Sequence, residues 1–111
     1  MNTILKTNEA LAPVKHAFNA TEIVANLARL EGWRLTGDGA DVAIEKTFSF
    51  ANYHETMAFV NALAFIAHRQ DHHPDLSVHF QRCVVRFHTH DVGGLSIADF
   101  DSAARVDALL A

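Results

Sequence analysis

At 111 residues, half of them hydrophobic and a fifth charged, the chain has the size and make-up of one soluble globular domain. Nine Lys and Arg against 13 Asp and Glu leave a formal charge of −4 with no basic patch, which argues against a nucleic-acid partner. The single Cys83 can form no internal disulfide, the apolar run from Ala62 to Ala67 is far too short for a membrane span, and Met1 to Lys15 lacks the apolar core of a signal peptide, so the expectation is a cytoplasmic protein.

Residues 1–18 show no clean periodicity and carry Pro13; they are expected to form an arm of undetermined conformation ahead of a domain at 19–111. Asn19 with Glu22 predicts a capping box. The helix it opens carries Ile23, Val24, Leu27 and Leu30 on one face, with Gly32 as its expected stop. Trp33-Arg34-Leu35 then alternates as a strand, and Gly37-Asp38-Gly39 signals a hairpin turn. In the return strand Val42, Ile44, Phe48 and Phe50 point one way together with Lys46, whose ammonium is expected to extend outward.

Asn52 and Glu55 cap the next helix, in which Phe59, Val60, Leu63, Ile66 and Ala67 make a core stripe at helical spacing. Its other side, Ala58, Ala62 and Phe65, is also small or apolar, more than one sheet face requires, and predicts self-association into a homodimer or a dimer of dimers. Leu76 to Phe80 and Cys83 to Thr89 read as a strand pair around Gln81-Arg82. Cys83, Val85 and Phe87 point one way there, and Val84, Arg86 and His88 the other. After the loop Asp91-Val92-Gly93-Gly94, Ser96 and Asp99 cap a last helix expected to bury Ile97, Phe100 and Ala104. The order helix-strand-strand-helix-strand-strand-helix predicts a single α+β domain, a four-stranded antiparallel sheet with helices on one face.

Six of the eight histidines fall between His68 and His90, and histidine is the side chain that titrates near neutral pH. In His68-Arg69-Gln70-Asp71-His72-His73-Pro74, the proline ring pushes His73 towards extended geometry and marks the helix end. His72 and His73 therefore belong to a helix-to-strand corner, with their side chains pointing apart. His90 stands at the end of the next strand but one, where strand pairing can bring it to that corner. The remaining histidines, His88 included, read as ordinary exposed or half-buried residues. A zinc site is the rival from chemistry, with His68 and His72 at i and i+4 and His90 as third ligand. It lacks the helical Glu of a His-Glu-x-x-His motif, and no metal is expected.

The run Asp71-His72-His73-Pro74, with His68 four residues before the first of its histidines, Phe80 after a short gap, then Thr89-His90 and Asp99, resembles the pattern of the pterin-4a-carbinolamine dehydratase family. Gly32-Trp33, Phe48-x-Phe50 and Gly93-Gly94-Leu95 extend the resemblance over about Ile23 to Ala108. Two positions depart from it: Leu76, where many relatives carry Trp, and His88, where a small hydroxyl residue is common. The resemblance implies loss of water from a 4a-hydroxytetrahydropterin, made by an aromatic amino-acid hydroxylase, to give the quinonoid dihydropterin. It implies no metal or redox cofactor. His72, His73 and His90 become the catalytic set, His72 and His90 as acid and base and His73 as the residue that binds and orients the pterin. Pro74, Thr89, Asp91 and Val92 complete the substrate pocket, and Asp71 and Asp99 are candidates to orient imidazoles. The same resemblance allows an alternative, a non-catalytic dimerisation or assembly factor on this scaffold.

Overall fold

The computed structural model describes residues 15–111. The rest of the expected arm, with Pro13, lies outside the described residues. Among the described residues, three helices and four strands follow in the expected order: α1 (Ala20–Leu27), β1 (Arg34–Thr36), β2 (Ala43–Ser49), α2 (Tyr53–Gln70), β3 (Asp75–Val78), β4 (Arg82–Phe87) and α3 (Ile97–Ala108). The strands form one sheet in the order β1-β2-β4-β3, each neighbouring pair antiparallel. Ile44 pairs with Phe87, Phe48 with Cys83, and Leu76 with Val85.

Alternation along β2 and β4 creates the core. Ile44, Phe48, Cys83, Val85 and Phe87 are buried, and they share one cluster with Phe59, Leu63 and Ala67 of α2 and Phe100, Ala103 and Val106 of α3. Aromatic rings tie the layers together, with Phe48 and Phe59 4.7 Å apart. Phe18 closes the cluster at the start of the domain, stacking on Phe100 at 5.8 Å while its amide bonds to Leu95 O at 2.7 Å. Lys46 shares the buried face as expected, yet its ammonium does not run out to solvent. It donates to Asp107 Oδ1 and Glu31 O, both at 2.9 Å, and passes 5.0 Å from the centre of the Phe48 ring. Trp33 Nε1 donates to the same carboxylate, 3.0 Å from Oδ2. One acidic side chain thus joins the last turn of α3 to β2 and to the strand entry.

Several sequence expectations shift at element ends. Helix α1 stops at Leu27 rather than running to Gly32. Two tight turns, Arg29 N to Asn26 O and Leu30 N to Leu27 O, then carry Leu30 to the core. Val24 is 68% exposed, because an eight-residue helix lying on the core buries only the side that carries Ile23 and Leu27. The β1–β2 connection is wider than a two-residue hairpin, with Thr36 opposite Ala43 and a 3₁₀ turn at Gly39–Asp41. Gly37 is required there, since its φ is +74° and a Cβ would stand 2.3 Å from Asp41 O. Strand β3 ends at Val78 and β4 at Phe87, leaving Phe80, His88 and Thr89 beyond the ladder. In α3, Phe100, Ala103 and Val106 face the core, whereas Ile97 and Ala104 face outward.

Candidate active site

The corner after α2 is built by a helix-ending motif. Asp71 adopts φ 48° and ψ 43°, the one left-handed non-glycine residue among those described. Its amide bonds to His68 O at 3.2 Å, and the amide of His72 reaches back to Ala67 O at 3.1 Å. These two bonds satisfy carbonyls that the end of the helix leaves open. Aspartate tolerates this conformation better than most side chains. Beyond the reversal His72 is buried, only 8% exposed, while His73 is exposed. The reversal also takes His72 off the helix, so the i, i+4 relation to His68 that a zinc site required does not exist. Among the described residues, no group of three or more His, Cys, Asp or Glu is arranged to hold a metal ion.

Inside the corner, His72 Nε2 lies 2.6 Å from Oδ1 of the fully buried Asp99. The other carboxylate oxygen, Oδ2, accepts from Ser96 N at 3.0 Å and from Thr89 Oγ1 at 2.7 Å. Thr89 spends its only hydroxyl proton on Asp99. The 2.8 Å contact between Thr89 Oγ1 and Ser96 Oγ must therefore be a donation from Ser96, whose oxygen accepts in turn from Ala98 N at 3.2 Å. Every donor in this chain points at the carboxylate, which makes Nε2 the protonated nitrogen of His72 and leaves Nδ1 bare in the neutral ring. The ring is further held by stacking on Phe87, with centroids 5.7 Å apart and planes 10° from parallel. Asp99 is thus both the capping-box residue of α3 and the hydrogen-bond partner of His72.

The corner opens on a cleft of about 270 Å³ lined by Lys15, Asp71, His72, His73, His88, Thr89, His90 and Asp91. Pairing of β3 with β4 has folded the chain so that the end of β4 meets the end of α2, which brings His90 to the same opening. Pro74 and Val92 are half-buried and do not line it. Two lining residues escape the sequence reading, Lys15 in the expected arm and His88. His88 Nδ1 lies 2.8 Å from Val42 O, and its ring stands edge-on to His90, with centroids 4.4 Å apart and planes at 84°. The available signal was the two-residue spacing of His88 and His90, which puts side chains on the same side of extended backbone.

The model of the pterin 4 alpha carbinolamine dehydratase family matches residues 16–109. The chain belongs to this family. A protein of Paracidovorax citrulli (strain AAC00-1) named for pterin-4-alpha-carbinolamine dehydratase is 61% identical over 110 residues, which span 99% of this chain and 95% of that protein. A protein of the same name from Stenotrophomonas maltophilia (strain K279a) is 54% identical over 94 residues, 85% of this chain and 79% of its own length. Among solved structures, a transcriptional coactivator/pterin dehydratase from Brucella melitensis superposes with a TM-score of 0.80 at 25% identity, covering 86% of this chain and all of that one. A pterin dehydratase-like protein identified as a RuBisCO assembly factor in the alpha-carboxysome superposes with a TM-score of 0.62 at 30% identity, covering 71% and 89%. Family membership and these names support pterin carbinolamine dehydratase activity. No helix among the described residues is long and apolar enough to cross a membrane.

Proposed function

We propose that the cleft dehydrates a 4a-hydroxytetrahydropterin to the quinonoid dihydropterin by histidine acid–base catalysis, recycling the pterin product of an aromatic amino-acid hydroxylase. The observation that carries this reading is the 2.6 Å bond between His72 and the buried Asp99, which leaves a bare imidazole nitrogen at an open cleft. In the elimination, the C4a–O bond breaks with both electrons leaving on oxygen, which takes up a proton and departs as water. N5 releases its proton, and the N–H electron pair becomes the C4a=N5 double bond. The step is a proton exchange, balanced without oxidant, reductant or metal.

His72 takes the proton from N5 through Nδ1, and Asp99 faces the charge that then appears on the ring. His90 delivers the proton to the departing hydroxyl, and solvent restores both groups. His73, exposed at the mouth, holds and orients the pterin, while Thr89 and Asp91 shape the wall beside it. A pair of such groups contributes most when each exchanges protons near the working pH, for which imidazole is suited. The protein acts as a homodimer or dimer of dimers through the outer side of α2. Phe65 there is 74% exposed, next to a groove of about 380 Å³ whose lining includes Ala58 and Ala62.

The likeness to a RuBisCO assembly factor keeps a non-catalytic reading in play, and one assay separates the two. Freshly generated 4a-hydroxytetrahydropterin is followed spectroscopically with and without protein, after exhaustive chelation. Acceleration that survives chelation and falls roughly 10- to 10³-fold in kcat on replacing His72 or His90 by Ala supports the proposal. Replacement of His73 should chiefly raise KM. A wild-type protein that leaves the solvent rate unchanged would establish the binding-module reading instead.

A further inference from the structure

His90 is exposed, sits in the short 3₁₀ turn His90–Val92, and makes no side-chain hydrogen bond among the described residues. An imidazole in that position would sample its rotamers unless a neighbour restrained it. The restraint is visible one ladder step earlier. Pairing of β2 with β4 ends at Ile44 and Phe87, and the Thr89 amide turns away to Gly94 O at 3.0 Å. Val42 O, the next acceptor along the β2 edge, has no backbone donor among the described residues, and His88 Nδ1 takes it at 2.8 Å. A carbonyl can only accept, so Nδ1 carries the proton and the His88 ring is fixed in both tautomer and orientation. The fixed ring then meets His90 edge-to-face at 4.4 Å, a close contact at the short edge of the separations of about 4.5–7 Å that aromatic pairs adopt.

We propose that His88 is a positioning residue for His90: anchored to Val42 O, its ring holds the His90 imidazole in the one rotamer that serves the cleft. The inference rests on the dehydratase reading for its catalytic consequence, though the restraint itself does not. A reacting group displaced by about 1 Å can lose roughly 10²-fold in rate. Losing the wall beside His90 should therefore lower kcat by roughly 10- to 10²-fold and change KM little.

Three variants separate positioning from mere structural support. His88→Ala removes both ring and anchor. His88→Asn returns an N–H for Val42 O without the ring, and His88→Phe returns a ring without the N–H. The ring variant should recover part of kcat, and the Asn variant should not, although it should unfold at nearly the wild-type denaturant concentration. In the substrate-free protein, the three-bond couplings across χ1 of His90 should report one rotamer in the wild type and averaging in His88→Ala. Couplings unchanged by that substitution overturn the proposal, and so does an unchanged kcat. If the wild-type protein itself proves inactive, the dehydratase reading fails, while the couplings still decide whether His88 holds His90.

Discussion

Replacing Asp99 by Asn changes the site by one atom and one charge, and the bonds around it dictate the outcome. Oδ2 accepts from both Thr89 Oγ1 and Ser96 N, so the carboxamide oxygen must take that place and its NH2 must face His72. The amide then donates where the carboxylate accepted, and His72 has to present a bare Nε2 to it, moving its proton to Nδ1. The nitrogen proposed to take the N5 proton is thereby already protonated. The helix cap and both other donors keep their partner. The cost in stability is thus only the difference between charged and neutral acceptors, about 1–2 kcal/mol. The rate should fall about 10²-fold, which is about 2.7 kcal/mol of barrier. Asp99→Ala is the contrast, because it strands the Thr89 hydroxyl, the Ser96 amide and the His72 ring N–H. At about 1–3 kcal/mol for each buried orphan the loss approaches about 3–9 kcal/mol, a large part of a small domain's whole stability of about 5–15 kcal/mol. Urea unfolding, dehydration kinetics and ¹⁵N shifts of the His72 ring measure the three quantities. The double variant Asp99→Asn with His72→Ala should be no slower than His72→Ala alone, since both changes remove one function. An Asp99→Asn protein with the flipped tautomer and an unimpaired kcat would refute this reasoning.

Three further outcomes are expected. Ser102 Oγ is buried in α3 with no hydrogen-bond partner among the described residues, so Ser102→Ala should raise the stability read from urea unfolding by about 1 kcal/mol without changing the slope. Burial pushes the Cys83 thiol above its ordinary 9.0, so the folded protein should react slowly with disulfide reagents at pH 8 and rapidly once unfolded. A raised folded-state value means that the thiol's contribution to stability is complete below pH 9.0 and drains away above it. The unfolding midpoint of Cys83→Ala should accordingly fall less between pH 8 and 10 than that of the wild type. Light scattering at micromolar concentration should give at least twice the chain mass, and Phe65→Glu should halve the assembly; a wild-type monomer would remove the case for the α2 contact.

Local signals with a strict spacing carry well from sequence to structure. Both capping boxes, Asn19 with Glu22 and Ser96 with Asp99, form as read, and Cys83, Val85 and Phe87 alternate into the core. The cap reading of Asp99 could not reveal its second partner. A capping box depends on four consecutive residues, whereas His72 arrives from 27 positions away by way of the sheet. Faces are harder to read than elements. Val24 and Ala104 fit a helical stripe, but how far a stripe is buried depends on how a short helix leans on its neighbours. Gly32 and Asp38-Gly39 are chain-reversal signals that the fold uses at other points of the turn. His88 reads as peripheral because its partner Val42 O is a backbone atom, and side-chain patterns say nothing about which carbonyls a ladder leaves open.

The left-handed residue at Asp71 makes two chemically identical neighbours non-interchangeable. Its reversal seats His72 against Asp99 and turns His73 to the opening, so each histidine's duty is set by its count from the end of α2 and not by its side chain. Deleting Asp71 would offer His73 the inner seat and Pro74 the outer place, leaving no imidazole where His73 now stands. Insertions and deletions at this corner should therefore be purged far more severely than substitutions, and a library built on this scaffold gains more by varying the residues around the corner than by varying its length.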